Sequence, residues 1–596
     1  MATISFTPQT LMLKLEQGQH DALAQDMLQI LDHFEYEKTE QIDPRMLEGI
    51  ELVAQTLLQI LASDRFMIPL ELAHLFINRN TVLANMLRLT RFGSGDAIIP
   101  QLVQQPMALP KLLTVYSPYC SLRLRLADLF QSQAYLASLW TAAILKGRWK
   151  GPENSWRFIQ ELMADPALSR YTLDDESFPL MEETYFAYFE STYAAPDKDR
   201  ALRDIVNTGT KAEFKHDFTI GSNKKRILVI SANMNIEHAI YRCLAPLLYA
   251  LKPDYHLTLF HIHLNEESNL DRALFDEIKP LGVKDETDSF TYEMLEKILG
   301  GDYGIALFTD IGLNRPSIIL SNLRLAPIQI TTYGHPVTSG DSEIDYYIGG
   351  QAVEEKENPE RHFAEQLVLI PGLGVEPVRL PYHPKFPKPQ YEWCEIGLSW
   401  GEMKFAYPHL ALLKQIQEQA GKKTRFHFIG INATRLTLAA VRRDLADFFG
   451  AEKIHVSPSM GNADYLQTIE ACDLLLDSSP FGSYNRIVDG LACHKPVISL
   501  EGEKSYGRFA SALLRQVGLP ELVAATPEEF IAKSVKLIAD DSWRNAVMEK
   551  IRSIDLDAQL FDTGNARYFK KAIDNIVAHH ETRQDRSVSK AIIVPA

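Results

Sequence analysis

The sequence has few cysteines, and their spacing indicates neither a cross-link nor a metal site. Five cysteines are spread along the 596-residue chain without a Cys-x-x-Cys pair: Cys120, Cys243, Cys394, Cys472 and Cys493. This spacing favours reduced thiols in an intracellular protein over a disulfide framework or a zinc site.

Segments that would direct the chain to a membrane are missing as well. No apolar run approaches the ~18 residues that a bilayer-spanning helix needs. The N-terminus lacks the basic start and apolar stretch of a secretory signal. We therefore expect a cytoplasmic protein without a membrane span.

The chain also lacks an excess of positive charge. Its formal net charge is -16, whereas a protein that binds nucleic acid along the phosphates needs a basic surface. We therefore expect no nucleic-acid partner, although a few local residues suffice to hold a nucleotide.

With 46% apolar and 23% charged residues the composition is that of a folded protein, and the length predicts about three or four domains.

Motifs of several enzyme classes are absent. The sequence contains no GxxxxGK[ST] phosphate loop, no clear GxGxxG after a strand, no GxSxG nucleophile turn and no HExxH zinc motif. Asp341, Glu343 and Asp345 alternate without the glycine and ligand pattern of a calcium loop. These absences disfavour NTPases and dehydrogenases, and we predict no metal ligands.

The first third of the sequence has a helical pattern. From Thr10 to about Glu213, apolar residues recur at three- and four-residue spacing, as in MLEGIELVAQTLLQILA and YLASLWTAAIL. We predict an all-α N-terminal domain over residues 1–215. A clean 34-residue repeat is missing, so the pattern leaves open whether these helices form a superhelix.

From Lys225 onward, short apolar strands alternate with helical segments. RILVISAN, HLTLFHI, YGIALFTD, PIQITTYG, DYYIGG and QLVLIPG predict a mainly parallel sheet in a first Rossmann-like domain over residues 216–380. The proline-rich RLPYHPKFPKPQY, residues 379–391, predicts a linker.

A second alternating set follows this linker. CEIGLSW, RFHFIGI, KIHVSPS, DLLLDSS and PVISLEG predict a second Rossmann-like domain over residues 381–596, which includes the C-terminal helices. The predicted fold class is α/β, with a cleft between the carboxyl ends of the two sets of strands, where such sheets bind ligands.

The segment from Asp477 to Asp489, which ends in PFGSYNRIVD, is the most informative part of the second domain. A strand runs into a glycine-containing turn, and a helix is predicted to begin near Ser483–Asn485. The free N–H groups of a helix N-terminus suit a diphosphate. Asp489 lies on the same helix face as Asn485, where its carboxylate could accept hydrogen bonds from ribose hydroxyls. The predicted donor-binding residues here are Gly482, Ser483, Tyr484, Asn485 and Asp489. The local sequence leaves open that Ser483 and Asn485 only cap a core helix.

Three further side chains are predicted to face the cleft. Lys404 follows the first strand of the second domain, where its charge could neutralise a departing diphosphate. His238 begins the first helix of the first domain, and His335 lies in a tight loop after a strand of that domain. Both are candidates for the acceptor side. Locally, the alternatives are a solvated surface lysine and histidines that only cap or pack.

Three segments resemble glycosyltransferase family 41. They are SNLRLAPIQITTYGHP (321–336), the run at 477–503 that contains PFGSYNRIVDGLACHKPVISLEGE, and GLPELVA (518–524). The family includes eukaryotic O-GlcNAc transferases and the bacterial cytoplasmic N-glycosyltransferases that modify high-molecular-weight adhesins. The N-terminal helices are similar to the all-α domain of the bacterial members. The resemblance implies a GT-B fold, a UDP-sugar donor, inversion at the anomeric carbon and neither metal nor cofactor.

The resemblance also implies roles for single residues. Lys404 matches the family's lysine on the donor phosphates. Asn485 and Asp489 match residues that hold the diphosphate and the ribose. His238 matches the histidine that lines the acceptor side, and His335 matches the histidine of the GHP loop. Lys404 and His238 are thus the catalytic candidates.

The sequence departs from the bacterial N-glycosyltransferases at three places. Gly401–Met403 stands where those enzymes have a Thr-rich stretch, and Arg486 replaces their glycine after the diphosphate asparagine. GEKSYGRFASALLRQVG, residues 502–518, is closer to the O-GlcNAc transferases. These departures leave the donor sugar and the linkage open.

The function implied by the resemblance is transfer of a hexose, with glucose from UDP-glucose as the expected donor, to asparagine in Asn-X-Ser/Thr sequences of a polypeptide such as an adhesin. One alternative is O-linked GlcNAc or hexose transfer to Ser/Thr, or extension of a glycan. Another is a UDP-GlcNAc 2-epimerase-like enzyme, which would consume the donor without an acceptor. A non-catalytic scaffold is disfavoured by the presence of Lys404, Asn485 and Asp489.

Overall fold

The structure is a computed structural model, and it describes most of the chain. The described residues are 7–36, 42–147, 149, 151–165, 188, 192–193, 199–214, 219–263, 268–282, 292–385, 392–582 and 590–596. The predicted domain boundary at residues 215–216 lies outside them, and the predicted linker at 379–391 lies partly outside them. No helix within these ranges has the length and hydropathy needed to cross a lipid bilayer.

The N-terminal third is helical, as the apolar spacing predicts. Its described helices are α1 Pro8–Glu16, α2 His20–Tyr36, α3 Pro44–Ala62, α4 Ala73–Asn78, α5 Asn80–Arg88, α6 Ile99–Gln104, α7 Leu109–Val115, α8 Leu126–Ser132, α9 Ala134–Lys146, α10 Glu153–Ala164 and α11 Asp199–Glu213. Their core includes Trp140, which stacks on Tyr116 at 5.4 Å and donates a 2.8 Å hydrogen bond to its carbonyl. The bond satisfies a buried indole N–H.

The first sheet contains eight parallel strands in the order β14-β7-β6-β5-β4-β1-β2-β3. The strands are β1 Arg226–Ser231, β2 His256–His261, β3 Glu277–Pro280, β4 Ile305–Phe308, β5 Ile328–Thr331, β6 Tyr346–Gly350, β7 Gln366–Ile370 and β14 Ile592–Ile593. The helices between them are α12 Ala239–Tyr249, α13 Tyr292–Leu299 and α14 Arg315–Ser321. The central strands are buried on both faces, which explains their continuous apolar runs.

The second sheet contains six parallel strands in the order β10-β9-β8-β11-β12-β13. The strands are β8 Cys394–Leu398, β9 Thr424–Ile431, β10 Ile454–Pro458, β11 Leu474–Leu476, β12 Val497–Leu500 and β13 Val523–Ala524. The accompanying helices are α15 Tyr407–Gln419, α16 Arg435–Phe449, α17 Asn462–Ala471, α18 Asn485–Ala492, α19 Phe509–Gln516, α20 Pro527–Ala539 and α21 Asp541–Ser553. The predicted α/β class is confirmed. The strands that the sequence patterns missed, β3, β13 and β14, have two to four residues each.

The strand order creates a switch point in the second sheet. The chain runs from β8 through β9 to β10 on one side and then returns to β11 on the other side of β8. Loops that leave β8 and β11 at such a point diverge and open a crevice at the carboxyl ends of the strands. The Trp400 indole N–H donates to the Leu476 carbonyl at 2.8 Å and thereby holds the β8 loop beside β11.

The C-terminal segment corrects the predicted boundary of the second domain. Helix α22, Ala566–His579, and strand β14 pack on the first sheet rather than on the second. Tyr255 donates a 2.6 Å hydrogen bond to Asp574, and Lys570 pairs with Asp254 at 2.7 Å. An apolar helix pattern shows which face is buried but does not identify the domain that buries it.

The N-terminal helices contact both Rossmann-like domains. On the first domain, Asn207 of α11 donates to the Ser339 carbonyl at 2.9 Å. On the second, Asn85 of α5 donates to Thr437 at 3.0 Å, and the buried Arg88 pairs with Asp444 of α16.

Candidate functional site

The turn after β11 is built around Asp477, which the sequence analysis did not assign as a site residue. Its Oδ1 accepts the Ser483 N–H at 3.0 Å, and its Oδ2 accepts the Ser499 hydroxyl at 3.1 Å. Burial raises the pKa of Asp477, and the nearby charge of Lys404 opposes this shift. The position of Asp477 directly after a strand that ends at the cleft was the available sequence signal.

Lys404 lies against this turn, as the cleft prediction requires. It ends a short 3₁₀ turn, Glu402–Lys404, and its Nζ donates to the Gly482 carbonyl at 2.7 Å and to the Ser483 hydroxyl at 3.3 Å. Burial lowers the pKa of Lys404 to about 8, against the attraction of Asp477. Lys404 is thus not a freely solvated surface lysine, and it keeps a proton to donate beyond these two bonds.

The N-terminus of α18 presents unbonded N–H groups beside Lys404. The N–H groups of Ile487 and Val488 bond to the Tyr484 carbonyl. Within the described part of the chain, the N–H groups of Tyr484, Asn485 and Arg486 have no acceptor, as expected for the first turn of a helix. These three N–H groups are the donors that the structure offers to an anion.

The open N–H groups lie one residue later along the chain than the predicted helix start at Ser483–Asn485. The Ser483 N–H is bonded to Asp477, and the Gly482 N–H is bonded to the Tyr506 carbonyl at 2.9 Å. Neither amide is open to a ligand. The capping alternative is also wrong, because Tyr484 occupies the N-cap position and no side chain caps the helix.

Asn485 and Asp489 share one face of α18, as predicted, and this face contacts α12 of the first domain. Asn485 Nδ2 donates to the Ala239 carbonyl at 3.0 Å. Asp489 forms a buried ion pair with Arg242, with contacts of 2.6 and 3.3 Å to the two carboxylate oxygens. The side chains of Arg242 and Asp489 are only 6% and 4% exposed.

This ion pair bears on the predicted contact between Asp489 and ribose, which stays a prediction. Both oxygens of its carboxylate are engaged by Arg242, so the carboxylate is not open to ribose in this arrangement. Arg242 was not singled out from the sequence, although it follows His238 by one helical turn. Its burial only becomes visible when α12 and α18 are placed together.

The side chain of Tyr484 is likewise unavailable to a UDP-sugar. It is 3% exposed and packs edge-on against Tyr333 at 5.7 Å and Phe509 at 5.8 Å. The ring therefore joins the two domains, and only the backbone N–H of Tyr484 belongs to the candidate site.

His238 occupies the N-cap position of α12. Its Nδ1 accepts the Ile240 N–H at 3.2 Å, and burial lowers its pKa to about 4. A neutral imidazole that accepts at Nδ1 carries its proton on Nε2. The capping geometry therefore assigns a hydrogen-bond donor at Nε2 and disfavours a general base there.

His335 is packed between the two domains near the same turn. Its ring stacks on Phe481 at 6.0 Å, and burial, with the charges of Arg203 and Lys404, lowers its pKa well below the ordinary value. The preceding Gly334 has no room for a side chain, because a Cβ there would lie 1.2 Å from the Thr309 carbonyl oxygen. The loop is thus pressed onto the neighbouring strand end, and His335 meets the donor-side turn.

The described residues contain one group that could hold a metal ion. Glu355, His362 and Glu503 place ligand atoms within 4.8 Å of one another. Arg361 already pairs with both carboxylates, at 2.9 and 2.8 Å. Arg361 would therefore compete with a metal ion for oxygens of both carboxylates.

The Arg242–Asp489 ion pair yields a stability prediction. Replacing Asp489 by Ala leaves a buried guanidinium without a counter-charge, which lowers the free energy of unfolding by about 3–5 kcal/mol. Replacing both residues, Arg242→Met with Asp489→Leu, removes both charges and should recover most of this loss. Thermal and urea unfolding of the two variants measure the difference. Equal destabilisation by the single and the double replacement would contradict the assignment.

Comparisons with known proteins agree with the resemblance noted in the sequence. Residues 427–571 match the model of the family described as Glycosyl transferase family 41. A UDP-glucose:protein N-beta-glucosyltransferase of Actinobacillus pleuropneumoniae serotype 5b is 26% identical over 377 residues, 60% of this chain and 58% of that protein. The enzyme of the same name from serotype 7 is 29% identical over 253 residues, 40% of this chain and 39% of that protein. The alignments thus span less than two thirds of either relative.

A solved structure shares the fold over nearly the whole chain. A mutant of the Thermobaculum terrenum O-GlcNAc transferase superimposes with a TM-score of 0.58 at 18% identity, covering 96% of this chain and all of that one. At this identity the likeness concerns the fold. The predicted resemblance of the chain to glycosyltransferase family 41 is therefore confirmed, and its fold is of the GT-B type.

Proposed function

We propose that this protein transfers glucose from UDP-glucose to the amide nitrogen of asparagine in Asn-X-Ser/Thr sequences of a polypeptide. The transfer inverts the anomeric carbon and needs no metal. In the reaction the amide nitrogen bonds to the anomeric carbon, and the proton that it loses is released to solvent. UDP departs with the electron pair of the broken C–O bond.

The observation that carries the proposal is the group of cationic and N–H donors at the carboxyl ends of β8 and β11. Lys404 Nζ touches the Ser483 turn, and the unbonded N–H groups of Tyr484, Asn485 and Arg486 lie at the start of the following helix. Negative charge builds on the β-phosphate as the sugar bond breaks. Fixed donors aimed at that charge favour the transition state over the ground state.

The acceptor side consists of groups that orient rather than remove protons. His238 offers an N–H at Nε2, and the low pKa of its ring makes it a weak base. An asparagine amide oxygen is a suitable acceptor for such a donor. We propose that His238 holds the asparagine side chain so that its nitrogen faces the sugar, and that His335 shapes the wall beside it.

The choice of glucose and of an asparagine acceptor rests on the relatives. Two proteins of Actinobacillus pleuropneumoniae named as UDP-glucose:protein N-beta-glucosyltransferases align with this chain. The proposal extends their named activity to this protein, with a polypeptide such as an adhesin as the acceptor.

Mass spectrometry of an acceptor peptide tests the reaction. We expect an Asn-X-Thr peptide incubated with the protein and UDP-glucose to gain one hexose. The same peptide with Gln in place of Asn should gain none, since the longer side chain misplaces the amide nitrogen. UDP release is measured in parallel.

The remaining outcomes separate the alternatives. A hexose on both peptides would show that transfer does not require asparagine, would overturn the asparagine assignment and would favour the threonine. UDP release without any peptide modification would favour an epimerase-like or hydrolytic enzyme. Modification with UDP-GlcNAc but not with UDP-glucose would overturn the donor.

The pKa of Lys404 predicts the pH dependence of donor use. The charged lysine is the useful form, and burial lowers its pKa to about 8. Hence kcat/KM for UDP-glucose should be fully developed below that pH and fall as the pH rises through about 8, since kcat/KM reports the free enzyme. A Lys404→Arg variant, which stays charged, should lose this alkaline decline. A wild-type profile that is flat up to pH about 10, the usual range of a lysine, would contradict the assignment.

A further inference from the structure

We infer that Arg486 is a second cation of the donor site and binds the diphosphate of the UDP-sugar together with Lys404. The inference rests on the proposed function, because it takes a nucleoside diphosphate as the ligand. It assigns to this chain a donor-binding residue in addition to the lysine and the helix N-terminus.

The position of Arg486 is set by an aromatic platform. Arg486 is the second residue of α18, and its Cζ lies 4.5 Å from the centroid of the Tyr465 ring on α17. Tyr465 is buried, and its hydroxyl accepts a 3.1 Å hydrogen bond from Ser399, the residue that follows β8. A planar guanidinium stacked on a fixed ring loses little freedom when it binds an anion. The platform therefore holds Arg486 at the crevice between β8 and β11.

Arg486 is close enough to Lys404 for the two charges to interact. The charge of Arg486 contributes to the low pKa of Lys404, after the larger effect of burial. Asp477 and Asp489 lie nearby, but their oxygens are engaged by Ser483, Ser499 and Arg242.

Within the described part of the chain, neither Lys404 nor Arg486 forms an ion pair with a carboxylate. The carboxylates of Asp477 and Asp489 act on these cations from nearby without pairing with them, and a polyanion bound between the two cations would relieve their mutual repulsion. Because three unbonded N–H groups open at the same place, the fitting ligand is a diphosphate rather than a single carboxylate.

The chemistry of a guanidinium suits this ligand. Arg486 presents paired N–H groups to two phosphate oxygens, whereas Lys404 acts as a point charge. Together they supply two positive charges to a leaving group that gains negative charge. Arg486 should therefore contribute to donor affinity through the diphosphate and not through the nucleoside.

Calorimetric titration of the full-length protein with UDP tests the inference. We expect Arg486→Gln to weaken UDP binding by about tenfold or more, the effect of losing a charge-assisted hydrogen bond. Arg486→Lys retains the charge, and its UDP affinity should lie between those of the wild type and Arg486→Gln. The matched control is Arg515→Gln, which removes an arginine from the same domain that is paired with Glu501 at the surface. This control should bind UDP as the wild type does.

A second readout separates a direct role from a structural one. Because Arg486 lowers the pKa of Lys404, the alkaline decline of kcat/KM for UDP-glucose should move to higher pH in Arg486→Gln. A merely structural residue would weaken binding without moving this pH dependence. If Arg486→Gln binds UDP within about twofold of the wild type, the inference is wrong. It is also wrong if binding weakens while the alkaline decline stays at the same pH.

The failure of this inference is distinguishable from the failure of the proposed function. If the wild-type protein itself does not bind UDP, the proposed donor is wrong and the inference falls with it. If the wild type binds UDP and transfers hexose, but Arg486→Gln binds UDP equally well, only the role of Arg486 is overturned.

Discussion

The hydrogen bonds of Asp477 hold together the turn on which the donor side depends. By accepting the Ser483 N–H, the carboxylate folds the chain back so that the Gly482 carbonyl and the Ser483 hydroxyl meet Lys404. The chain then enters α18 with its first N–H groups unbonded. Burial raises the pKa of Asp477 and lowers that of Lys404, while each charge favours the ionised form of the other. The same turn thus sets both the positions of the hydrogen-bond donors and the ionisation of Lys404 and Asp477.

A second set of contacts joins the two domains across the cleft. The Arg242–Asp489 ion pair and the bond from Asn485 to the Ala239 carbonyl tie the donor-side helix to the acceptor-side helix. If ribose binds Asp489, as the resemblance implies, Arg242 must give up at least one oxygen of that carboxylate. Donor binding would then alter a contact between the domains. This arrangement links occupancy of the donor site to the position of the helix that carries His238.

The sequence predicted the fold class and the segments that form the cleft, because alternating strands and helices leave a strong local pattern. It also predicted that Lys404 faces the cleft, and in the structure Lys404 contacts the Ser483 turn. It could not predict that Asp489 bonds to Arg242, since that pair joins residues 247 positions apart. It also could not show that the Ser483 N–H is occupied, because hydrogen bonding within a turn depends on backbone geometry and not on residue type alone. The roles of the candidate residues in catalysis stay predictions.

The most direct test of the account is the effect of Lys404→Ala on turnover and on donor affinity, measured side by side. Charge on the departing diphosphate is greatest in the transition state, so kcat should fall by about a hundredfold or more, with a much smaller change in the Kd for UDP-glucose. Lys422→Ala, a surface lysine paired with Asp541 in the same domain, serves as the control. A Lys404→Ala enzyme with an unchanged kcat would contradict the central claim that this lysine and the N-terminus of α18 stabilise the leaving group.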